Sequence, residues 1–306
     1  MQNSITRWLT GAMVIMVLVV SGCELNPTEL SNDQTAIEAA ILAELEYFTA
    51  DLFSAQGAED PDTPTTGPGR TLADIVPWRW GRQMQDIQRE MDITINDDGD
   101  GPATADVVWT GLLSGTFHII DTTATHYSKE FTDTAVRYAT FERRENATAQ
   151  AQNRGWRMTA ISGTTVLSDP NSVTIQQVHL TSTGGLDTII TDVSTLINRE
   201  EIIAFAPLDT ITIEVTTGDP TDVILIHYPA WANQHGSRNH VRSRLRNNGD
   251  GSFTGQWVTR GQVWRNGQRM NPARHITIDV LSRDTIFTDD QPYDSNGWSF
   301  IYRVSG

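Results

Sequence analysis

The sequence predicts an α+β region followed by an all-β region, with one long N-terminal helix on a curved antiparallel sheet and then a β-sandwich. Three observations predict this order. One amphipathic stripe occurs near residue 37, long alternating strands follow it up to residue 168, and short strands separated by turn residues fill the remainder. We therefore expect an α+β domain over residues 35–168 and a β-sandwich domain over residues 169–306.

The long helix is predicted from the spacing of its apolar residues. The stripe consists of Ile37, Ile41, Leu45, Phe48 and Leu52. Spacings of three and four place these side chains on one helical face. Ser31 and Gln34 stand at capping-box spacing before the stripe, and Gly57 is a suitable C-terminal stop after it. The polar face is acidic, which favours packing on a sheet over adsorption to a membrane.

The strands of the first region are predicted from alternation of apolar and polar residues over 87–95, 107–119, 133–143 and 156–166. Gly111 and Gly115 fall on the apolar parity of the second strand, which predicts a bent and strongly twisted strand. The closing segment is Gly155-Trp156-Arg157-Met158-Thr159-Ala160-Ile161-Ser162-Gly163. It is similar to the last strand of many cone-shaped domains of the nuclear transport factor 2-like family.

That resemblance covers roughly residues 33–168 and implies a cone-shaped domain, in a family that contains both enzymes and non-enzymes. An aromatic and imidazole set could line the mouth of such a cone. The set consists of Trp78, Trp80, Trp109, His118, His126, Tyr138 and Trp156. The same residues suit a plain hydrophobic core, and both interpretations stay open at this point.

After Asp169-Pro170 the sequence predicts about seven short strands, as in an immunoglobulin-like sandwich. The predicted strands are Val173–Leu180, Thr210–Thr216, Val223–His227, His240–Arg246, Ser252–Thr259, His275–Leu281 and Trp298–Val304. Asn248-Gly249-Asp250-Gly251 and Asn266-Gly267 predict hairpin turns. The polar segment Thr285–Trp298 is expected either to contact a partner or to serve as a long connection in the sandwich.

The N-terminal segment predicts export and a lipid anchor. Arg7 precedes an uncharged run of thirteen residues, Trp8–Val20, which is shorter than the roughly 20 residues of a membrane-spanning helix. Val20-Ser21-Gly22-Cys23 follows and resembles the lipobox of bacterial lipoproteins. The resemblance implies a signal peptide over residues 1–22, lipid on Cys23, and a short tether over residues 23–34.

Cys23 is the only cysteine, so lipidation would account for the one thiol of an exported chain. An ordinary secretory signal followed by an incidental cysteine is the alternative. Glu24 stands where an aspartate retains some lipoproteins at the inner membrane, so the outer membrane is favoured if the cell has one. The expected location is therefore the bacterial cell envelope, with the membrane as partner through the lipid.

The chain is acidic, with a net charge of −16, and Lys129 is its only lysine. Because an acidic surface repels phosphate backbones, the composition argues against nucleic acid as a partner. It also disfavours adsorption to anionic lipid, so any membrane attachment is expected to come from the anchor.

No cofactor is predicted, and calcium is the one metal for which the sequence offers candidate ligands. Asn96-Asp97-Asp98-Gly99-Asp100-Gly101 resembles half of a calcium loop, which makes Asp98 and Asp100 weak candidate ligands. Val107 stands where the twelfth-position acid would be, so a polar hairpin turn is the alternative. His227, His235 and His240 do not show a recognised zinc spacing, and ordinary surface or hairpin histidines are expected.

No nucleophile motif, phosphate loop or dinucleotide fingerprint occurs in the sequence. We therefore expect a non-enzymatic binding or structural module of the cell envelope, with an envelope protein as a further partner. The alternative is a small-molecule-binding or enzymatic pocket in the first domain.

Overall fold

The structure is a computed structural model that describes residues 27–44, 47–48, 75–97, 101–229, 240–259, 263–265, 268–270 and 273–304. The helices are α1 (Pro27–Ala43) and α2 (Arg283–Phe287), and the strands are β1 (Pro77–Asn96), β2 (Thr104–Asp121), β3 (His126–Arg143), β4 (Trp156–Ser168), β5 (Ile175–Ser182), β6 (Asp187–Ile190), β7 (Ile197–Asn198), β8 (Ala204–Phe205), β9 (Thr210–Thr217), β10 (Val223–Pro229), β11 (His240–Arg244), β12 (Arg246–Asn247), β13 (Ser252–Val258), β14 (Val263–Arg265), β15 (Gln268–Met270), β16 (Arg274–Leu281) and β17 (Ser295–Val304).

The N-terminal helix is short, because α1 covers only 17 residues, Pro27–Ala43. The predicted long helix extending toward Gly57 is therefore wrong. Proline at the first helical position lacks only an N–H that the helix would not use, so the helix begins there and not at Ser31. Phe48 is nevertheless buried, with 3% exposure. A turn beyond the helix places this side chain in the core, so the apolar stripe marks burial correctly but overestimates the helix.

The largest feature is one curled sheet of ten strands, ordered β1-β2-β3-β4-β17-β16-β10-β11, with β7 on β4 and β8 on β17. Its pairs are antiparallel except for β8, which runs parallel to β17. Strands β1 to β4 follow one another along the chain. Strand β4 then pairs with β17 from the far end, with Asn296 opposite Leu167 and Trp298 opposite Thr165. This pairing covers an edge of β4 that would otherwise present unpaired backbone groups.

The predicted fold class is wrong for this reason. The described chain is mostly β, and its first sheet continues into the second half and does not end before a separate sandwich. Alternation in the sequence identified the strands, but it carries no information on which strands pair across more than 100 residues. The boundary expected between residues 168 and 169 stays a prediction, and the large sheet runs across it.

A second sheet, ordered β12-β13-β9-β5-β6, packs against β10, β16 and β17 of the large sheet. Their facing apolar side chains form one core, which includes Val178, Ile213, Ile226, Ile278 and Phe300. The second half is thus sandwich-like, as the turn pattern predicted. One sheet of the sandwich is shared with the first half of the chain.

The close approach of β1 to β2 requires glycine at position 115. A Cβ placed there would lie 2.2 Å from the backbone oxygen of Gln83. The register of β1 against β2 shifts at the same level, between Met84 and Asp86. Strand β1 thus has an irregularity where the glycine lets the two backbones approach, while the bend of β2 itself stays a prediction.

We expect Gly115→Ala to lower the free energy of unfolding by about 1–3 kcal/mol, because the new methyl group meets backbone that cannot rotate away. Gly101→Ala is the matched control, since no atom lies within 4 Å of a Cβ at that position. Urea titration followed by tryptophan fluorescence compares the two variants. Equal effects of both substitutions would contradict the close-approach explanation.

No helix among the residues that the structure describes is long and apolar enough to cross a membrane.

Candidate functional site

The strongest grouping of ionisable side chains lies on the concave side of the large sheet, and we call it the Arg82 cluster. Its members are Arg82 on β1, Asp133 on β3, His227 on β10, Asp279 on β16 and Tyr293 just before β17. Each is exposed by 5% or less. Four strands separate β1 from β16 in the sheet order, so the curl of the sheet brings these side chains together.

Arg82 and Asp279 form the central ion pair. Arg82 Nη2 donates to Asp279 Oδ1 at 2.7 Å, and Nη1 donates to Oδ2. Two parallel hydrogen bonds of this kind are among the strong polar contacts in proteins. Burial alone would raise the pKa of Asp279, but the Arg82 guanidinium holds that pKa well below its usual range. Asp279 is therefore ionised throughout the physiological pH range.

Asp133 is the second carboxylate of the cluster and is less well paired. Its Oδ2 accepts a hydrogen bond from the Tyr293 hydroxyl at 3.3 Å and lies 3.9 Å from Arg82 Nε. Its Oδ1 is buried without a hydrogen-bond partner among the described residues. Burial raises the pKa of Asp133 to about 6, although the Arg82 guanidinium opposes the rise. Burial also raises the pKa of Tyr293.

His227 lies on the opposite side of Asp279. Its Nε2 is 3.5 Å from Asp279 Oδ2 and 3.3 Å from the Nε of Arg242, which donates to it. Burial lowers the pKa of His227, so the imidazole is neutral near pH 7. The Arg242 guanidinium also lies 5.8 Å from the centre of the Trp80 ring, which connects β11 to β1.

The Arg82 cluster thus joins strands that are distant in both sequence and sheet order. Removing two charges from water costs several kcal/mol per ion, and only good geometry offsets that cost. The two hydrogen bonds between Arg82 and Asp279 supply such geometry. Because the five side chains contact one another and scarcely contact solvent, the geometry supports a structural lock on the curl of the sheet.

Arg137 on β3 is a second buried cation in a different environment. It is 1% exposed, and its Nη1 donates to the backbone oxygen of Tyr47. Its Nε and Nη2 have no hydrogen-bond partner within the part of the chain that the structure describes. Burial lowers the pKa of Arg137 to about 9. Among the described residues no carboxylate contributes to this shift, in contrast to Arg82.

An open recess of about 570 Å³ lies where four chain segments meet, and we call it the acidic recess. Its wall comprises Pro170, Ser172, Val173, Thr174, Gly218, Asp219, Thr221, Asp222, Ser282, Arg283, Asp284, Gln291, Pro292 and Asp294. Four aspartates and one arginine give it a formal excess of three negative charges. The only lysine, Lys129, donates to the backbone oxygens of Asp284 and Thr288 and so holds the α2 wall against β3.

The aspartates of the acidic recess differ in the hydrogen bonds that their carboxylates accept. Asp294 accepts from the Ser172 backbone N–H at 3.1 Å and from its hydroxyl. Asp219 accepts from the backbone N–H and hydroxyl of Thr221 at 2.8 and 2.7 Å. Asp222 is 5% exposed, and its Oδ2 has no hydrogen-bond partner among the described residues. Burial raises the pKa of Asp222 to about 6, a hydrogen bond with the Thr217 side chain opposes the rise, and the charges of Asp219 and Asp294 add to it.

A second recess, of about 610 Å³, lies between the end of α1 and the 144–157 segment. Glu44 and Trp156 line it. Glu44 Oε1 accepts from Arg199 at 2.6 Å, while Glu44 Oε2 and Trp156 Nε1 are buried without hydrogen-bond partners in the described part of the chain. This recess borders residues 45–46, which lie outside the described ranges, so the acidic recess is the better-defined surface.

The residues with a predicted binding role are only partly described. Cys23, Asp98 and Asp100 lie outside the described residues, as does His235. Among those described, no group of three His, Cys, Asp or Glu side chains could hold a metal ion. His227 is a buried member of the Arg82 cluster and not a surface histidine, although it does lie where β10 pairs with β11, as the hairpin alternative predicted.

The aromatic set divides between core and surface. Trp80, Trp109 and Trp156 are buried, and each is exposed by 6% or less. His118 Nδ1 and His126 Nε2 lie 3.0 Å apart on the outer side. The remaining two, Trp78 and Tyr138, are exposed by 54% and 38%. The set therefore does not line one cavity, and its tryptophans serve mainly as core.

The segment Thr285–Trp298 is a packed connection. Tyr293 and Asp294 are exposed by only 2% and 8%. Tyr293 belongs to the Arg82 cluster, and Asp294 ties the segment before β5 to the start of β17. The alternative of a free loop offered to a partner does not describe these two residues.

The sequence interpretation missed the Arg82 cluster and the acidic recess. A local signal existed for the cluster, because Arg82 shares its strand parity with Trp80, and Asp133 shares its parity with Phe131. A charged residue on the apolar parity of a strand indicates a buried ion pair. No such signal exists for Asp222, since the acidic recess is assembled from residues 170–174, 218–222 and 282–294, which are separated from one another by more than 40 positions in the chain.

Comparisons of the chain with known protein families, with characterised proteins and with solved structures find no match.

Proposed function

We propose that the protein is a lipid-anchored lipoprotein of the bacterial cell envelope whose folded body acts as a non-enzymatic binding module. The observation that carries the anchor is Cys23, the only cysteine, placed after Val20-Ser21-Gly22 and an uncharged run. Acylation would account for the presence of this single thiol, and two or more acyl chains would make membrane attachment stable. Glu24 favours the outer membrane where one exists.

The arrangement of charges in the body supports binding over chemistry. The Arg82 cluster contains the best pair of acid and base groups, but its members are buried and engaged with one another. The acidic recess is open and carries surplus charge. Surplus charge on an open, concave surface favours recognition of a cationic ligand or of a basic patch on an envelope protein. The net charge of −16 disfavours nucleic acid as a partner.

The anchor is tested by fractionation of cells that produce the chain. Wild-type protein is expected to stay with membranes through a high-salt wash, which removes proteins held by charge. With an ordinary secretory signal in place of residues 1–22 and with Cys23→Ser, the protein should move to the soluble envelope fraction. Membrane retention of that variant after the wash would refute the lipid anchor.

Cys23→Ser behind the native leader is the control for a second form of attachment. If the leader stayed uncut, residues 1–22 could hold the chain at the membrane without lipid. That product would be longer than the mature wild-type protein and would be recognised by its N-terminal peptide. The two variants together separate attachment by lipid from attachment by the leader.

Arg137 favours a second candidate function, a small-molecule site within the first half of the chain. Its guanidinium is buried, and two of its nitrogen atoms have no hydrogen-bond partner among the residues that the structure describes. An anionic ligand could satisfy these two atoms. Thermal unfolding in the presence of small carboxylates and phosphates tests this candidate. A rise in Tm for wild type that is absent from Arg137→Met would support it, and equal behaviour of both proteins would exclude it for the anions used.

A further inference from the structure

The acidic recess holds one carboxylate that lacks a counter-charge. The Asp222 side chain is 5% exposed and its Oδ2 is without a partner in the described chain. A buried carboxylate oxygen left unpaired costs more than a neutral polar atom left unpaired. In this position a bound cation would recover part of the desolvation cost.

The other charged groups of the acidic recess do not supply that cation. The Arg283 guanidinium lies over the Phe287 ring, 5.2 Å from its centre, and its Nη1 is 3.8 Å from Asp284 Oδ1. These two contacts are with residues of its own helix, and Arg283 is not among the groups that shift the pKa of Asp222. Asp219 and Asp294 add negative charge near Asp222, so the recess as a whole favours an incoming positive charge.

The spacing of the acids argues for an organic cation over a metal ion. Within the described residues no three acidic or imidazole side chains are close enough together to share one ion. A chain of ammonium groups separated by methylene spacers can reach several carboxylates in turn. Pro170, Val173 and Pro292 provide apolar wall for the spacers, and a volume of about 570 Å³ suits a ligand of that size.

We infer that the acidic recess binds an alkylammonium ligand with more than one positive charge, and that the Asp222 carboxylate receives one of its ammonium groups. The ligand is a free polyamine or a lysine-rich segment of a partner protein, since both present the same chemistry. This inference deepens the proposed binding role and rests on it for the envelope location of the ligand.

Binding is expected to depend on the ionisation of Asp222. The pKa of Asp222 is raised to about 6, so the carboxylate that attracts the ligand is lost as the pH falls through 6. The other titratable groups that face the recess are Asp219, Asp284, Asp294 and Arg283. A pH dependence between about 5 and 7 that disappears in Asp222→Asn would assign the effect to Asp222.

The test is calorimetric titration of the full chain, purified in detergent, with spermidine and separately with an oligolysine peptide. We expect saturable binding at pH 7.5 and a loss of about tenfold or more in affinity in Asp222→Asn, the scale of one charge-assisted hydrogen bond. Asp92→Asn is the matched control, because it removes the same charge from an exposed position on β1 and should leave affinity unchanged.

Thr221→Lys provides a second variant that keeps Asp222. The ammonium group of the introduced lysine would compete with the ligand for the carboxylates of the recess. Affinity for spermidine should therefore fall although the Asp222 carboxylate is intact. Circular dichroism identifies any variant that fails to fold. If either Asp222→Asn or Thr221→Lys fails to fold, the other variant alone is compared with wild type. Oligolysine binding without spermidine binding would assign the ligand to a partner protein, and spermidine binding would assign it to a free polyamine.

Equal affinity of wild type and both recess variants, or no binding of either ligand, would overturn the inference. Calcium binding with the same dependence on Asp222, together with no effect of spermidine, would also overturn it. These failures differ from failure of the anchor, which appears as the absence of lipid on Cys23 while spermidine still binds.

Discussion

Arg82→Met is expected to lower the free energy of unfolding by about 3–5 kcal/mol, the range found when one partner of a buried ion pair is removed. The substitution keeps most of the side-chain volume but leaves Asp279 buried and ionised with no bidentate partner. It also leaves Asp133 without its nearest opposite charge. Urea unfolding monitored by circular dichroism gives the change directly, provided the transition remains two-state.

Arg137→Met is the matched comparison, because it makes the same change on the same concave face. Arg137 donates one hydrogen bond to the Tyr47 backbone, and no described carboxylate is paired with it. Replacing a poorly paired buried charge by an apolar side chain is often neutral or stabilising. We therefore expect Arg137→Met to change stability by no more than about 1 kcal/mol or to increase it. A large loss in Arg137→Met with a small loss in Arg82→Met would refute the proposed lock.

The difference in unfolding free energy between Asp133→Asn and wild type is expected to change by about 2–3 kcal/mol between pH 4 and pH 8. The folded-state pKa of Asp133 is about 6, above the ordinary value of about 3.9. The folded state therefore binds more protons than the unfolded state between these values. Wild type carries the cost of the buried charge above pH 6 and loses that cost below about pH 4.

Relative to wild type, Asp133→Asn should thus be more stable at pH 8 than at pH 4. Taking the difference between the two proteins at each pH removes contributions from the other titrating groups. Asp92→Asn serves as the control, since Asp92 is exposed. A difference between Asp133→Asn and wild type that stays constant with pH would show that Asp133 ionises normally in the folded protein.

The strands could be predicted because their signal is local. Residues of one parity in β2, such as Val107, Trp109 and Phe117, are buried as the alternation indicates. Gly115 falls on the same apolar parity, and the missing side chain lets the β1 backbone approach at Gln83.

The pairing of strands could not be predicted from that signal. Strand β4 pairs with β17 across more than 100 residues. Nothing in the sequence of either strand identifies the other strand as its partner. The helix was overestimated because an apolar stripe records which side chains are buried and not which backbone conformation buries them. Phe48 shows this directly, since it lies in the core after the helix has ended.

The sequence contains a signal for the buried charges of the Arg82 cluster but none for the acidic recess. Arg82, Asp133 and Arg137 each occupy the apolar parity of a strand, so burial of charge was open to inference. Which charges pair depends on the curl of the sheet, and within the described ranges Arg82 pairs with Asp279 while Arg137 has a backbone carbonyl group as its hydrogen-bond partner. The recess depends wholly on tertiary structure, because its four segments meet only when both sheets are assembled.

Lipid on Cys23 is the attachment that we propose between the acidic body and the membrane. Mass spectrometry of the N-terminal peptide, from protein extracted out of membranes with detergent, tests this attachment. We expect a peptide that begins at Cys23 and carries acyl chains on that residue. A peptide that begins at any other residue, or one that begins at Cys23 with an unmodified thiol, would contradict it.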